Sequence, residues 1–189
     1  MPAGVAACGA CIARPPAFDR ALAAVDYAYP WDGLITQFKF HAALDLTQAL
    51  AQRLVDAARA SEMPMPTLLL PVPLSDARLR ERGYNQAWEL AKILGGMLRC
   101  PAAPDLLLRV KDTPHQIALP LERRAANVHA AFAVEPSRTP ELRGRTVTLV
   151  DDVMTTGATA TEIARVLVQA GAAQVHVWVV ARTPRPGES

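Results

Sequence analysis

Hydrophobic positions recur at helical spacing in three segments of the chain. In residues 45–60 the apolar side chains fall three or four positions apart, and the pattern returns at 85–98 and 158–170. Apolar residues at this spacing share one face of a helix, so each segment is predicted to be an amphipathic helix. A shorter helix is predicted to begin near Asp32, which is a suitable N-cap residue.

Short apolar runs predict the strands. Such runs, bounded by proline, glycine or polar residues, are typical of buried parallel strands. The predicted strands are residues 25–29, 67–72, 105–110, 146–150 and 174–181. Pro71 and Pro73 are expected to end the second of these strands, because proline cannot donate a ladder hydrogen bond.

The last third of the chain has the clearest organisation. Strand 146–150, loop 151–157, helix 158–170 and strand 174–181 follow one another, and Gly171 stands where a C-terminal glycine of a helix belongs. This order is a βαβ unit, so the two strands should be parallel with a right-handed crossover. The pattern predicts an α/β fold.

Length and composition predict one globular domain. The chain has 189 residues, of which 51% are hydrophobic and 20% charged, enough to bury a core. We expect an N-terminal arm at residues 1–18, a main domain at 19–182 and a tail at 183–189. The polar stretch 111–127 has no periodicity and is predicted to be a long loop that passes into a helix.

The apolar runs and the N-terminus predict a cytoplasmic protein that does not insert into a membrane. No apolar run approaches the ~20 residues that a spanning helix needs. The N-terminus lacks a basic segment followed by an apolar stretch, the pattern of a signal peptide.

The cysteines predict no disulfide framework. There are three of them, an odd number, which fits a reducing compartment. Cys8 and Cys11 form a CxxC pair, which is half of a four-thiolate zinc site. Two thiolates do not hold structural zinc tightly, so the pair predicts zinc binding only weakly.

Basic residues are clustered although the net charge is only +2. Such clusters favour local binding of anions, and the alternative is that each arginine is simply solvated. The first cluster is Arg78, Arg80 and Arg82, and the second is Arg109, Lys111, Arg123 and Arg124.

The segment VDDVMTTGAT is the candidate site. Asp151 and Asp152 stand at the carboxyl end of a buried strand, where ligands bind in open α/β sheets. A loop of small residues that enters a helix N-terminus presents amide groups and hydroxyls suited to a phosphate monoester. The residues of this loop are Val153, Met154, Thr155, Thr156, Gly157, Ala158 and Thr159.

Two carboxylates beside a phosphate loop indicate a sugar phosphate. They suit vicinal ribose hydroxyls, or Mg²⁺ with its oxygen ligands. Simple helix capping is the alternative, but it explains only one threonine and one aspartate.

The segment resembles the 5-phosphoribosyl-1-pyrophosphate (PRPP) motif of type I phosphoribosyltransferases. Four other segments resemble one branch, the ComF/GntX-like (competence protein F) family: CGACIARPPAFDRALAAVDYAY, QFKFHAALDL, PVPLSDARLRERGYNQA and KDTPHQIALPLERRAANVHAAF. The resemblance implies a type I phosphoribosyltransferase fold, with a central, mostly parallel sheet flanked by helices. It also implies a small N-terminal hood with the remnant of a zinc ribbon, Cys8 and Cys11.

The resemblance assigns roles to individual positions. Asp151 and Asp152 would bind the ribose hydroxyls and orient Mg²⁺, and residues 153–159 would hold the 5-phosphate. The loop after Val72 would be the pyrophosphate loop. Its members would be Pro73, Arg78, Arg80 and Arg82. Further contacts to substrate or nucleic acid would come from Tyr84, Asn85, Gln86, Lys111, Gln116 and Arg123.

Three functions remain open on the sequence. The first is a Mg²⁺-dependent phosphoribosyltransferase with an unknown acceptor. The second, implied by the family, is a competence factor that binds single-stranded DNA and works with other competence proteins during natural transformation. The basic clusters fit it, but the aromatic residues are only 5% of the chain and do not interleave with them. The third is a regulator that senses PRPP without catalysis.

Overall fold

The computed structural model of the chain describes residues 9–111 and 130–183. Its strands are β1 Arg20–Asp26, β2 Leu68–Pro71, β3 Leu107–Arg109, β4 Phe132–Val134, β5 Thr146–Met154 and β6 Gln174–Arg182. Its α-helices are α1 Gly9–Ala13, α2 Trp31–Phe40, α3 Leu46–Ala60, α4 Asp76–Arg82, α5 Gln86–Leu98 and α6 Ala158–Gln169. A 3₁₀ helix covers Pro136–Leu142.

Four parallel strands form the central sheet, in the order β1-β6-β5-β2. Strands β5 and β6 lie in the middle, and both are buried along their central parts, from Val147 to Val150 in β5 and from Val175 to Ala181 in β6. Burial on both faces explains why these strands are nearly continuous apolar runs. The prediction of a parallel βαβ unit is confirmed.

A hydrophobic core lies on each face of the sheet. On one face, Leu149 and Val177 pack with residues of α6 such as Ile163. On the other face, Trp178 packs with Leu54 of α3 and with α5. Trp178 is fully buried, as expected for the bulkiest side chain at the centre of a sheet.

A second sheet is made of β3 and β4, which pair antiparallel. It packs against α6 through β4. Glu162 of α6 accepts a hydrogen bond of 2.8 Å from the amide of Ala130, so the chain that enters β4 is attached to that helix.

The predicted helices at 45–60, 85–98 and 158–170 are confirmed, but the strand predicted at 25–29 is wrong. Strand β1 begins at Arg20 and ends at Asp26. It lies at the edge of the sheet and is rich in alanine, which has a low β propensity. Its sequence therefore shows only a weak alternation of hydrophobic and polar residues. Asp32 lies in the first turn of α2, whose N-cap is Pro30.

Helix α4 lies where the pyrophosphate loop was predicted, after Val72 and Pro73. It has no buried residue, so it carries no apolar periodicity that could have predicted it. Strand β5 also continues beyond its predicted end, because its pairing with β6 extends to Met154. Asp151 and Asp152 are therefore strand residues and not loop residues.

The remaining expectations are tested only in part. Most of the predicted loop 111–127 lies outside the described residues, and α1 falls inside the predicted arm. Within the described parts of the chain, no helix is long and apolar enough to cross a membrane.

Asn85 connects α5 to the end of β2, and its loss should destabilise the fold. Its Oδ1 accepts hydrogen bonds from the amides of Ala87 and Trp88, at 2.9 and 3.4 Å, and its Nδ2 donates to the carbonyl of Val72 at 3.1 Å. We expect Asn85→Ala to lower the free energy of unfolding by about 1–2 kcal/mol in urea titrations, since it removes a helix cap. Asn85→Asp keeps the capping oxygen and should lose less; an equal loss in both variants would show that the cap is unimportant.

Candidate active site

An open cleft lies at the carboxyl edge of the central sheet, with about 380 Å³ of empty space when the solvent at its mouth is included. Its floor is apolar and comes from the neighbouring strands. The lining residues are Val72, Asp151, Val153, Met154, Thr155, Thr156, Gly157, Ala158, Thr159, Ala160, Val177 and Val179. The structure therefore brings Asp151 and all seven residues of the predicted phosphate loop into one cleft.

The N-terminus of α6 forms one wall of the cleft. The first backbone hydrogen bond of the helix runs from Thr161 N–H to Gly157 O, at 2.8 Å. Amides before that bond have no acceptor within the helix, and with the helix dipole they make this end suitable for an anion. The Thr156 hydroxyl lies 3.3 Å from the amide of Ala158, so it belongs to the same turn.

Gly157 is required by the shape of this turn. Its φ of 77° lies in the left-handed region, which residues with a Cβ rarely adopt. An added Cβ would lie 3.7 Å from Met154 Sδ and 3.8 Å from the ring of Phe18, which are ordinary contacts. The backbone conformation, and not a lack of space, therefore selects glycine here.

Asp151 is the carboxylate that faces the cleft. It is half-buried, and one oxygen accepts a 2.8 Å hydrogen bond from the amide of Asp152. Burial raises the pKa of Asp151 above its ordinary value, the charge of Asp152 raises it further, and Lys39 opposes both. Burial and Asp152 therefore destabilise the ionised form of Asp151, and hydrogen-bond donors or a cation in the cleft would stabilise it.

Asp152 points away from the cleft, because successive side chains of a strand face opposite sides. Only 4% of it is exposed. Lys39 of α2 lies 3.0 Å from one of its carboxylate oxygens and 3.1 Å from the other. The two aspartates, which were assigned the same role on the sequence, thus have different surroundings.

Lys39 is the residue that the sequence analysis missed. It lies between two phenylalanines in QFKFHAALDL, a segment used there only for its resemblance to the family. A lysine between two aromatic residues in a helix is a weak signal, since such side chains commonly extend to solvent.

Tyr84 and Gln86 support α2. The Tyr84 hydroxyl donates a hydrogen bond to the carbonyl of Phe38, and Gln86 Nε2 lies 3.5 Å from the carbonyl of Lys39. Gln86 is only 2% exposed, and Asn85 is engaged as the α5 cap. Tyr84 and Gln86, two of the residues expected to contact substrate or nucleic acid, therefore hold the helix that carries Lys39.

The first basic cluster lies on α4 and does not line the cleft. Arg80 is exposed, whereas Arg78 and Arg82 are half-buried. Arg82 stacks over the ring of Phe40 at 4.9 Å from its centre. Pro73 is half-buried in the connection from β2 to α4. Because β2 is parallel to β5, this connection and α4 follow the same edge of the sheet as the cleft.

The other predicted residues either do not line the cleft or lie outside the described residues. Lys111 is exposed just after β3, in the region of the small sheet. Cys11 is half-buried in α1, while its partner Cys8 lies outside the described residues, as do Gln116 and Arg123. Among the described residues, no three His, Cys, Asp or Glu side chains are grouped so that they could share a metal ion.

The sequence of the cleft matches a known class of domain. Residues 102–188, which include the whole βαβ unit around the cleft, match the model of the phosphoribosyl transferase domain. With the parallel sheet flanked by helices, this match defines the class: the chain has the type I phosphoribosyltransferase fold, as predicted.

Comparison with whole proteins identifies the branch. The chain is 36% identical to the DNA utilization protein YhgH of Escherichia coli over 180 residues, which are 93% of this chain and 78% of that protein. It is 36% identical to competence protein F of Haemophilus influenzae over 179 residues, with the same coverage. The chain therefore belongs to the competence protein F family, which confirms the resemblance noted in the sequence.

Solved structures are more distant. The glutamine PRPP amidotransferase of Bacillus subtilis, complexed with ADP and GMP, is 18% identical with a TM-score of 0.47. The similarity covers 77% of this chain and 30% of that one.

We expect Gly157→Ala to destabilise the protein and to weaken phosphate binding. A left-handed conformation costs a residue with a Cβ about 1–2 kcal/mol, and relief of this strain would move the amides of the turn. Gly144→Ala is the matched control, since Gly144 has a φ of 69° and open space around it but lies outside the cleft. Urea unfolding should show similar losses in both, and calorimetry with ribose 5-phosphate should show weaker binding only in Gly157→Ala; equal binding in both would contradict the assignment of the turn.

Asp151→Asn should stabilise the unliganded protein increasingly as the pH rises. Because its folded-state pKa is raised, wild-type Asp151 contributes stability that is present below the ordinary value of about 3.9 and is lost as the pH rises through the folded-state pKa. Asparagine carries no such charge at any pH. Unfolding free energies across the acidic and neutral range test this, with Asp45→Asn as the control at an exposed carboxylate; a constant difference between Asp151→Asn and wild type would contradict it.

Proposed function

We propose that the cleft binds PRPP, or another ribose 5-phosphate compound, and that the protein transfers the ribose 5-phosphate group in the presence of Mg²⁺ to an acceptor that remains to be identified: the acceptor forms a bond to C1 of the ribose as pyrophosphate is released. One observation carries the proposal: Asp151 and the turn at the N-terminus of α6 line the same cleft. A carboxylate for hydroxyl groups and a set of amides for a phosphate are the two halves of a ribose 5-phosphate site.

The chemistry needs stabilisation of charge and no protein nucleophile. When the bond from C1 of the ribose to pyrophosphate breaks, positive charge develops on the sugar and negative charge on the leaving group. With the 5-phosphate at the N-terminus of α6, Asp151 would face the sugar, and its charge would stabilise the cationic ring. The arginines of α4 follow the neighbouring strand β2 and would lie near the leaving group.

The residues of the cleft fit Mg²⁺ bound together with its substrate. Mg²⁺ is commonly held by one or two carboxylates plus phosphate oxygens of the substrate, and Asp151 offers one such carboxylate. Bound Mg²⁺ would neutralise the negative charge that develops on pyrophosphate. The protein's own contribution is to orient the sugar at Asp151 and the 5-phosphate at α6.

A second candidate function is a competence factor that binds single-stranded DNA or senses PRPP and does not catalyse a reaction. The family supports it, since one relative is named a competence protein and another a DNA utilization protein. The exposed ring of Phe40 under Arg82 adds an aromatic and basic pair of the type that single-strand binders use.

Calorimetry with PRPP and Mg²⁺ tests the ribose phosphate site. We expect the wild type to bind and Asp151→Asn to bind on the order of tenfold or more weakly, because a charged acceptor of hydrogen bonds is replaced by a neutral one. Asp45→Asn should bind as the wild type does. Unchanged affinity in Asp151→Asn would contradict the site.

Two assays on the same protein separate the candidate functions. Pyrophosphate release from PRPP, measured with a panel of bases and amines, should occur in the wild type and be lost in Asp151→Asn. A gel shift of single-stranded DNA at two salt concentrations should require Arg78, Arg80 and Arg82 if the protein is a DNA-binding factor. A gel shift of this kind without any pyrophosphate release would favour the second function over the first.

A further inference from the structure

Helix α2 places a cation beside the acidic end of β5. Lys39 lies 113 residues away from Asp152 in the sequence, yet its ammonium group is within 3.1 Å of both carboxylate oxygens. The Asp152 side chain is 6% exposed and that of Lys39 is 24% exposed. The pair is therefore far better shielded from water than the ion pair of Lys92 with Glu89 on α5, whose side chains are 44% and 21% exposed.

The position of α2 is itself held by hydrogen bonds. Tyr84 donates to the carbonyl of Phe38 and Gln86 to that of Lys39, which are the last turn of the helix. Tyr84 lies in the segment that joins α4 to α5, and Gln86 is the first residue of α5. The last turn of α2 is thus held in place by two hydrogen bonds. The backbone of Lys39 is therefore positioned next to Asp152 independently of the ion pair itself.

Two adjacent carboxylates at the end of a buried strand need a positive charge nearby. Like charges at this separation repel each other, and burial makes each ionised form more costly. Asp152 satisfies this need through Lys39, which occupies both of its oxygens. Asp151 remains as the carboxylate that lines the cleft and accepts an amide hydrogen bond on one oxygen.

We propose that Lys39 is a built-in counter-ion of the candidate ribose phosphate site: it occupies Asp152 in place of a divalent cation, so that Asp151 alone is presented to ligand and Mg²⁺. This inference rests on the proposed function and concerns how that site is regulated by Mg²⁺. Lys39 is a positioning residue, because it acts through Asp152 and does not line the cleft. Before a ligand binds, Lys39 balances the negative charge of Asp152 at any Mg²⁺ concentration.

Without the ammonium group of Lys39, the stability of the protein and its affinity for PRPP should depend on Mg²⁺. In Lys39→Met the buried Asp152 carboxylate loses its partner next to Asp151, and a divalent cation becomes the available compensation. We expect Mg²⁺ alone, without PRPP, to raise the melting temperature of Lys39→Met clearly and that of the wild type little. We also expect PRPP affinity at low Mg²⁺ to fall by on the order of tenfold or more in Lys39→Met and to recover as Mg²⁺ is raised.

Three variants isolate the charge from the packing of the lysine stem. Lys39→Arg keeps the positive charge and should retain the wild-type response to Mg²⁺. The double variant Lys39→Met/Asp152→Asn removes both charges, so it should fold even if the single variant is unstable, and it should lose the new response to Mg²⁺. Lys92→Met removes a lysine from the more exposed ion pair and is the matched control.

The outcomes keep this inference separate from the proposed function. If the melting temperature responds to Mg²⁺ equally in Lys39→Met, Lys92→Met and wild type, the role of Lys39 is overturned, whether or not PRPP binds. The same holds if the double variant responds as strongly as Lys39→Met. If the wild type fails to bind PRPP at any Mg²⁺ concentration, the proposed function is contradicted, while the response to Mg²⁺ alone still decides the role of Lys39.

Discussion

The parallel pairing of β5 with β6 is the constraint on which the site depends. Two parallel neighbours require a crossover, and here the crossover is α6, so the carboxyl end of β5 and the N-terminus of α6 must lie at the same edge of the sheet. The ladder runs to Met154, which carries both aspartates into the ordered strand. A carboxylate, which attracts cations and hydrogen-bond donors, and a helix N-terminus, which attracts anions, are thereby placed within one cleft.

Two adjacent carboxylates, Asp151 and Asp152, repel each other at the end of β5, and no residue of the βαβ unit forms an ion pair with Asp152 in the described structure. The helix terminus of this unit is positive but faces the cleft, on the side of Asp151. Compensation on the other face comes from α2, near the opposite end of the chain, through the contact of Lys39 with Asp152. The fold thus joins a local motif, complete between Thr146 and Arg182, to a cation that only the tertiary structure can supply. The asymmetry of the two aspartates follows from this arrangement.

Elements with a strong hydrophobic pattern could be predicted from the sequence, and those without one could not. Helices α3, α5 and α6 bury a continuous face and were predicted to within a few residues. Helix α4 buries nothing, and the alanine-rich edge strand β1 alternates only weakly, so neither has a signal to detect. For the site, the turn at Gly157 could be predicted because its residues are contiguous. Lys39 could not, since an ion pair across the fold leaves no trace in spacing.

The segment from Arg82 to Gln86 shows why a recognisable motif need not be a contact surface. Its polar side chains suggest ligand binding, yet each described one is used within the fold: Asn85 caps α5 and reaches β2, while Tyr84 and Gln86 hold the end of α2. The two hydrogen bonds from Tyr84 and Gln86 hold the last turn of α2, which carries Lys39. A substitution of Tyr84 or Gln86 would therefore act on the cleft through the position of α2 and the contact of Lys39 with Asp152, whether or not these side chains also contact a ligand.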